Sequence, residues 1–274
     1  MSEAPETDPA TGKGKAGEPE IEASLAVSSE TPAEVAARIG GLARIGEHRL
    51  AWIGTERLRD VYLDTDDGQL GERGLAMRLR RGAGGWTLTL KGEARPAPGG
   101  GVERSELEVA WSGDGMEEVL DEVRDRGVSL PGSPPPAAEG DPVEALRSAG
   151  FRVVQDRHTV RRSARVLPPG DGGEPVATLV VDAVRFETAS GGTVRHREVE
   201  IEAAPAGPPE LPGRLAGLLR ERFGEALRPW EHGKLATGAA LERIRPPVGP
   251  GGDLLPAAYD LLEREMSGGA REGG

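Results

Sequence analysis

The chain contains no cysteine in its 274 residues. This excludes disulfides, thiolate zinc sites and cysteine nucleophiles together, and leaves the redox compartment open. Aromatic side chains are scarce too, with four Trp, three Phe and two Tyr, so platforms for stacking a base are few. No apolar run approaches the roughly 18 residues that a membrane helix needs, and the N-terminus lacks the apolar stretch of a signal peptide. A cytoplasmic protein without membrane attachment is therefore expected. Positive charge is also in deficit: the net charge is −12, opposite in sign to a nucleic-acid surface, and no nucleic-acid partner is expected. An anionic ligand remains compatible, because the field in a cleft depends on the groups nearest to it.

What is present is charge arranged at a spacing of two. Arg104-Ser-Glu106-Leu-Glu108-Val and Arg195-His-Arg-Glu198-Val-Glu200-Ile-Glu202 alternate charged and aliphatic residues, and Arg78-Leu-Arg80 and Thr87-Leu-Thr-Leu-Lys91 do the same with bases. Alternate residues of a strand point to opposite faces, so each run carries a charged face and an aliphatic one. Rows of like charge repel unless acidic and basic strands face each other across a polar interior. An ordinary barrel has an apolar inside; here the reverse is expected, with a charged lumen and helices over the aliphatic exterior.

Residues 1–18 are rich in Glu, Pro, Gly and Lys with almost no large hydrophobe and read as a disordered tail. The folded part is expected over 19–245, and 246–274 as a Pro/Gly linker followed by a short amphipathic helix and tail. Strands are expected at 20–27, 49–53, 59–64, 75–81, 86–91, 103–111, 152–166, 176–187 and 194–203, joined mostly by hairpins such as Gly82–Gly85 and Ala189–Gly192. Thr31-Pro-Ala-Glu34 and Asp141-Pro-Val-Glu144 each show a cap, Pro at the first helical position and a capping-box acid. Further helices are expected at 116–126, 211–223 and 234–244. The class is α+β with antiparallel pairing.

The ordered set Glu20-Ile-Glu22, Tyr62-Leu-Asp64-Thr65, Arg78-Leu-Arg80, Thr87 to Lys91, Arg104-Ser-Glu106-Leu-Glu108, Arg157, Asp182, Glu198 to Glu202 and Gly233-Lys234 resembles the CYTH superfamily of triphosphate tunnel metalloenzymes. The resemblance spans about 225 residues. It implies an eight-stranded antiparallel barrel that binds a triphosphate and divalent metal, and an activity among triphosphatases or class IV adenylate cyclases. It places Arg78, Arg80, Lys91, Arg104, Arg157 and Lys234 on the phosphates, where guanidinium forks suit paired oxygens. Glu106, Glu108, Asp182, Glu200 and Glu202 become ligands of Mg²⁺ or Mn²⁺, and Glu20 and Glu22 orient the attacking water. A metal-dependent hydrolase of inorganic triphosphate, monomeric or homodimeric, is the leading expectation; a non-catalytic polyphosphate-binding module and an adenylate cyclase are the alternatives.

Three positions depart from the resemblance. Ser24 and Gln155 stand where lysines are expected, and Leu235 where a tyrosine is expected. Other residues have plainer readings. Glu198 and Arg161 also admit a surface reading and are left out of the core site; the four histidines are expected at the surface or the barrel rim, and Trp52, Trp86 and Trp111 under helices. Asp182 either begins a turn, pairs with Arg157 or, by the resemblance, serves as a tunnel acid that positions a base or metal. Gly233-Lys234-Leu235 lacks the residues of a P-loop.

Overall fold

A computed structural model describes residues 19–130, 140–170, 172–187 and 192–269. The expected N-terminal tail and most of the 189–192 turn lie outside them. The strands are β1 (Glu20–Val27), β2 (Arg44–Ile45), β3 (His48–Thr65), β4 (Ala76–Gly82), β5 (Gly85–Lys91), β6 (Arg95–Ala97), β7 (Gly101–Arg104), β8 (Glu106–Ala110), β9 (Phe151–Leu167), β10 (Ala177–Glu187), β11 (Thr193–Ala203) and β12 (Leu227–Pro229). The helices are α1 (Pro32–Gly40), α2 (Gln69–Glu72), α3 (Gly113–Asp125), α4 (Pro142–Ser148), α5 (Leu211–Phe223), α6 (Lys234–Arg243) and α7 (Pro256–Gly269).

The sheet runs β6-β7-β1-β11-β10-β9-β3-β4-β5-β8. Its two ends are joined covalently, because only Ser105 separates β7, which pairs with β1, from β8, which pairs with β5. One run of chain thus changes partner at Ser105 and closes the ring. Twelve strands appear where eight were expected because β2, β6 and β12 are short pieces on the rim and β7 and β8 are that single run. The two expected strands 49–53 and 59–64 are one, β3, with bulges between Trp52 and Gly54 and between Tyr62 and Leu63. Every pairing between these strands is antiparallel, as hairpin connections require.

The aliphatic faces point outward. Leu25, Val199 and Ile201 pack with Val35 and Ile39 of α1 and Leu215 and Leu219 of α5. Met77, Leu79, Leu88, Leu90, Leu107 and Val109 pack with Val119, Leu120 and Val123 of α3 and Leu146 of α4. Burying a Leu or Ile side chain stabilises by about 1.5–3 kcal/mol, so these two layers hold the helices to a barrel whose lumen contributes little apolar burial. Trp52, Trp86 and Trp111 join the same layers, partly buried, as expected.

A third cluster lies at one end of the barrel. Val184, Phe186 and Val194 meet Trp230, Ala240 and Leu241, and Leu254, Ala258, Tyr259 and Leu262 complete it. Through it α6 and α7 close that end. Helix starts follow the sequence unevenly: Asp141 caps α4, accepting from the Val143 N–H at 2.9 Å, whereas Thr31 makes no side-chain cap to α1. Asp64, a motif residue by resemblance, is held by α2, accepting from the backbone N–H of Leu70 (2.8 Å) and Gly71 (3.1 Å).

Candidate active site

Inside the barrel is a cavity of about 570 Å³. Eleven of the thirteen expected site residues line it: Glu20, Glu22, Arg78, Arg80, Lys91, Arg104, Glu106, Glu108, Glu200, Glu202 and Lys234. Cross-strand register creates the pattern, since residues opposite each other in an antiparallel ladder are neighbours on one face. Glu20 lies opposite Arg104, Lys91 opposite Glu106, and Asp60 opposite both Arg80 and Arg157.

On one wall Lys91 Nζ donates to Glu20 at 2.7 Å and lies 2.9 Å from Glu106, while Arg104 donates to Glu20 at 3.0 Å and also to Glu22. Burial alone would raise the Glu20 pKa, but Lys91 and Arg104 hold it well below the usual carboxylate range. Glu106 goes the other way, pushed up to about 7 by burial and by Glu20, which draws on the same ammonium. Arg78 donates to Glu108 at 3.2 Å, and Arg80 grips Asp60 with two bonds of 2.7 and 3.1 Å.

The opposite wall carries Lys234, the first residue of α6. Its Nζ lies 2.5 Å from Glu200 and 3.4 Å from Asp182, and it also pairs with Glu198. Burial disfavours charge on both Glu200 and Lys234, pushing Glu200 up to about 8, helped by Glu22, and Lys234 down to about 7. Asp182 is held at about 2: burial opposes its charge, but Arg161 and Lys234 outweigh it.

Four expectations need correction. Arg157 does not line the cavity; it is sealed beneath it, donating to Gln155 Oε1 (2.9 Å) and Tyr62 OH (2.6 Å). Asp182 is also fully buried and pairs with Arg161 and Lys234, not Arg157. Glu198 and Arg161, left out of the core site on a surface reading, are inside: Glu198 is buried, and Arg161 lines the cavity. His196 is buried as well, between Glu198 (2.8 Å from Nε2) and the Tyr259 hydroxyl (3.0 Å from Nδ1), and burial pushes its pKa down to about 3. The two-residue period already carried signals for Glu198, which precedes Glu200 on one face, and for Arg161, which shares a face with Arg157. Nothing in the period pointed to Tyr259.

Asp182, Glu198 and Glu200 place one carboxylate oxygen each within 4.8 Å of the others, a set able to hold a cation. Lys234 already lies among them. Glu202, in register with Glu22 and exposed, has no ion pair among the described residues. It lines the cavity opposite Glu22 and two residues from Glu200 on the same strand, and carboxylate oxygens are the donors that hard divalent cations prefer.

A family model for the CYTH domain matches residues 18–219. No curated protein matches the chain. Among solved structures, a Hippeastrum protein described as an adenylyl cyclase candidate with dominant triphosphatase activity superposes with a TM-score of 0.53 at 17% identity, covering 81% of this chain and 96% of its own. A Bacillus halodurans adenylate cyclase candidate gives 0.47 at 19% identity, covering 78% and 94%. The S. pombe RNA triphosphatase Pct1 gives 0.34 at 12%, covering 80% and 87%. The inverted barrel, the ordered charged rows and the family match agree, and the chain belongs to the CYTH domain family.

Proposed function

We propose that the chain is a metal-dependent hydrolase of a triphosphate, with inorganic triphosphate its foremost substrate. The charge balance of the cavity carries this reading: six Arg and Lys side chains and seven Glu side chains line it. Such walls give a tetra-anion no net attraction. Guanidiniums and ammoniums at this density fit a polyphosphate, but the glutamates interleaved with them require further positive charge. Glu106, Glu108, Glu200 and Glu202 on the walls, with Asp182 buried beside Glu200, would hold that charge in the form of Mg²⁺ or Mn²⁺. When bound, the ion neutralises phosphate charge and favours loss of the terminal phosphoryl group.

The chain's own residues then divide as follows. Arg78, Arg80, Lys91, Arg104 and Lys234 bind and orient the phosphate oxygens. Glu20 and Glu22, on β1, orient the water that attacks the terminal phosphorus as the bond to the diphosphate leaving group breaks. Glu20 is suited to accept from that water because Lys91 and Arg104 keep it ionised.

A panel of tripolyphosphate, thiamine triphosphate and nucleoside triphosphates, titrated with Mg²⁺ and Mn²⁺, tests the proposal by released phosphate and by cyclic AMP. Metal-dependent phosphate release from tripolyphosphate is expected, with Glu22→Ala lowering kcat far more than it changes KM. No phosphate from any of them with either metal would overturn it. The neutral Ser24 favours one second reading, a polyphosphate-binding module; calorimetric binding of tripolyphosphate without turnover would select it.

A further inference from the structure

We infer that Arg161 is the anion-gripping cation of β9, and that it stands in for the ammonium missing at Ser24. The inference rests on the reading of the cavity as a polyphosphate site, and concerns which residues hold the anion. Arg157 and Arg161 share the inward face of one strand, four residues apart, but only Arg161 lines the cavity. Arg157 is enclosed: Nη1 donates to Gln155 and Nη2 to Tyr62, its guanidinium lies 4.4 Å over the Tyr62 ring, and its Nε, 3.6 Å from Asp60, is sealed without a hydrogen-bond partner. At 1% exposure it has no room for a ligand.

Arg161 is held but not exhausted. Nε and Nη2 donate to Asp182 at 2.9 and 2.6 Å, and Nη2 donates also to Glu200 at 3.0 Å. The two bonds to Asp182 fix the plane of the guanidinium. Its Nη1 has no hydrogen-bond partner among the described residues, yet it is not one of the sealed, orphaned polar atoms. Two N–H groups are thus presented to the cavity in a fixed direction, the arrangement an oxyanion needs.

The link to Ser24 runs through Glu200. Ser24 is the cross-strand partner of Glu200 in the β1 and β11 ladder, and its side chain also faces the cavity. A lysine there would place its ammonium beside that carboxylate. Arg161 reaches the same carboxylate from β9, across β10. A cation therefore stands at this part of the wall although β1 supplies none.

Calorimetric titration of the full chain with tripolyphosphate at saturating Mg²⁺ tests the inference, with each variant's fold checked by thermal melting. Losing charged hydrogen bonds of this kind should weaken binding about 10- to 100-fold in Arg161→Gln. Ser24→Lys in the same chain should recover much of that loss. Arg161→Lys keeps a charge beside Asp182, so it tests the site should Arg161→Gln fail to fold; binding about tenfold weaker is expected. Folded Arg161 variants that bind within twofold of the parent would overturn the inference, as would no recovery with Ser24→Lys. A parent protein that binds tripolyphosphate without hydrolysing it removes only the hydrolase reading, whereas one that does not bind it removes both.

Discussion

Asp60→Asn exposes how far the phosphate-binding wall depends on an acid that no ligand touches. Asp60 is fully buried, takes two bonds from Arg80 at 2.7 and 3.1 Å, and lies 3.6 Å from Arg157 Nε. Asparagine keeps the shape and removes the charge, leaving two guanidiniums without their carboxylate. Breaking one side of a buried pair costs about 3–5 kcal/mol. For a barrel of this size that is on the order of a 10 °C fall in Tm. The pH dependence has a definite sign. Burial would raise the Asp60 pKa, but its bonds and charge interaction with Arg80 hold it well below the usual range. The stabilisation it gives is therefore complete above the unfolded aspartate pKa near 4, and is lost as pH falls below that value toward the folded one. Urea melts of both proteins should differ by a constant amount from pH 7 to 5. The difference should then narrow by about 1 kcal/mol between pH 5 and 3. Because Arg80 lines the cavity, tripolyphosphate binding should weaken together with stability. A gap under about 1 kcal/mol at pH 7, or one that widens in acid, would refute the account of Asp60 as the anchor of Arg80.

Two further perturbations act at the closed end of the barrel. Tyr259→Phe removes the 3.0 Å contact to His196 Nδ1, whose other nitrogen meets Glu198; thermal melting should show a loss of about 1 kcal/mol. Gly238→Ala places a Cβ 1.9 Å from Gln155 Nε2, so Gln155 must leave the Leu235 carbonyl and Arg157 that it now bonds. A loss of about 1–3 kcal/mol is expected, and Gln155→Ala in the same chain should recover most of it by vacating the space, which a double-mutant cycle would show.

The barrel was legible because its two-residue period is strict where a strand separates helix layers from a charged lumen. Leu25, Leu79, Leu88 and Val199 declare the outside, and Glu22, Arg80, Lys91 and Glu200 the inside. The period assigns a face, and nothing more. It carries no information about position along the barrel axis, so it does not separate Arg157, which is sealed, from Arg161, which lines the cavity. Nor does it show that β7 and β8 are one run that changes partner at Ser105, because each half alternates normally on its own.

Position along the axis is decided by segments with no such period. Helices α6 and α7 close one end, where Leu254, Tyr259 and Leu262 pack around Trp230, and that closure separates inward residues that can meet a ligand from those that cannot. The two missing lysines are therefore unequal. Gln155 lies on the sealed side, bonded to the Leu235 carbonyl and to Arg157, and the Cβ-free Gly238 of α6 is what gives it room. A lysine there would bury an ammonium against the Arg157 guanidinium, so the amide is the better partner and the ligand loses nothing by it. Ser24 lies on the open side, lining the cavity beside Glu200. Of the two departures, the one at Ser24 is the one the bound anion would sense, and Arg161 is the neighbouring side chain with donors free to answer it.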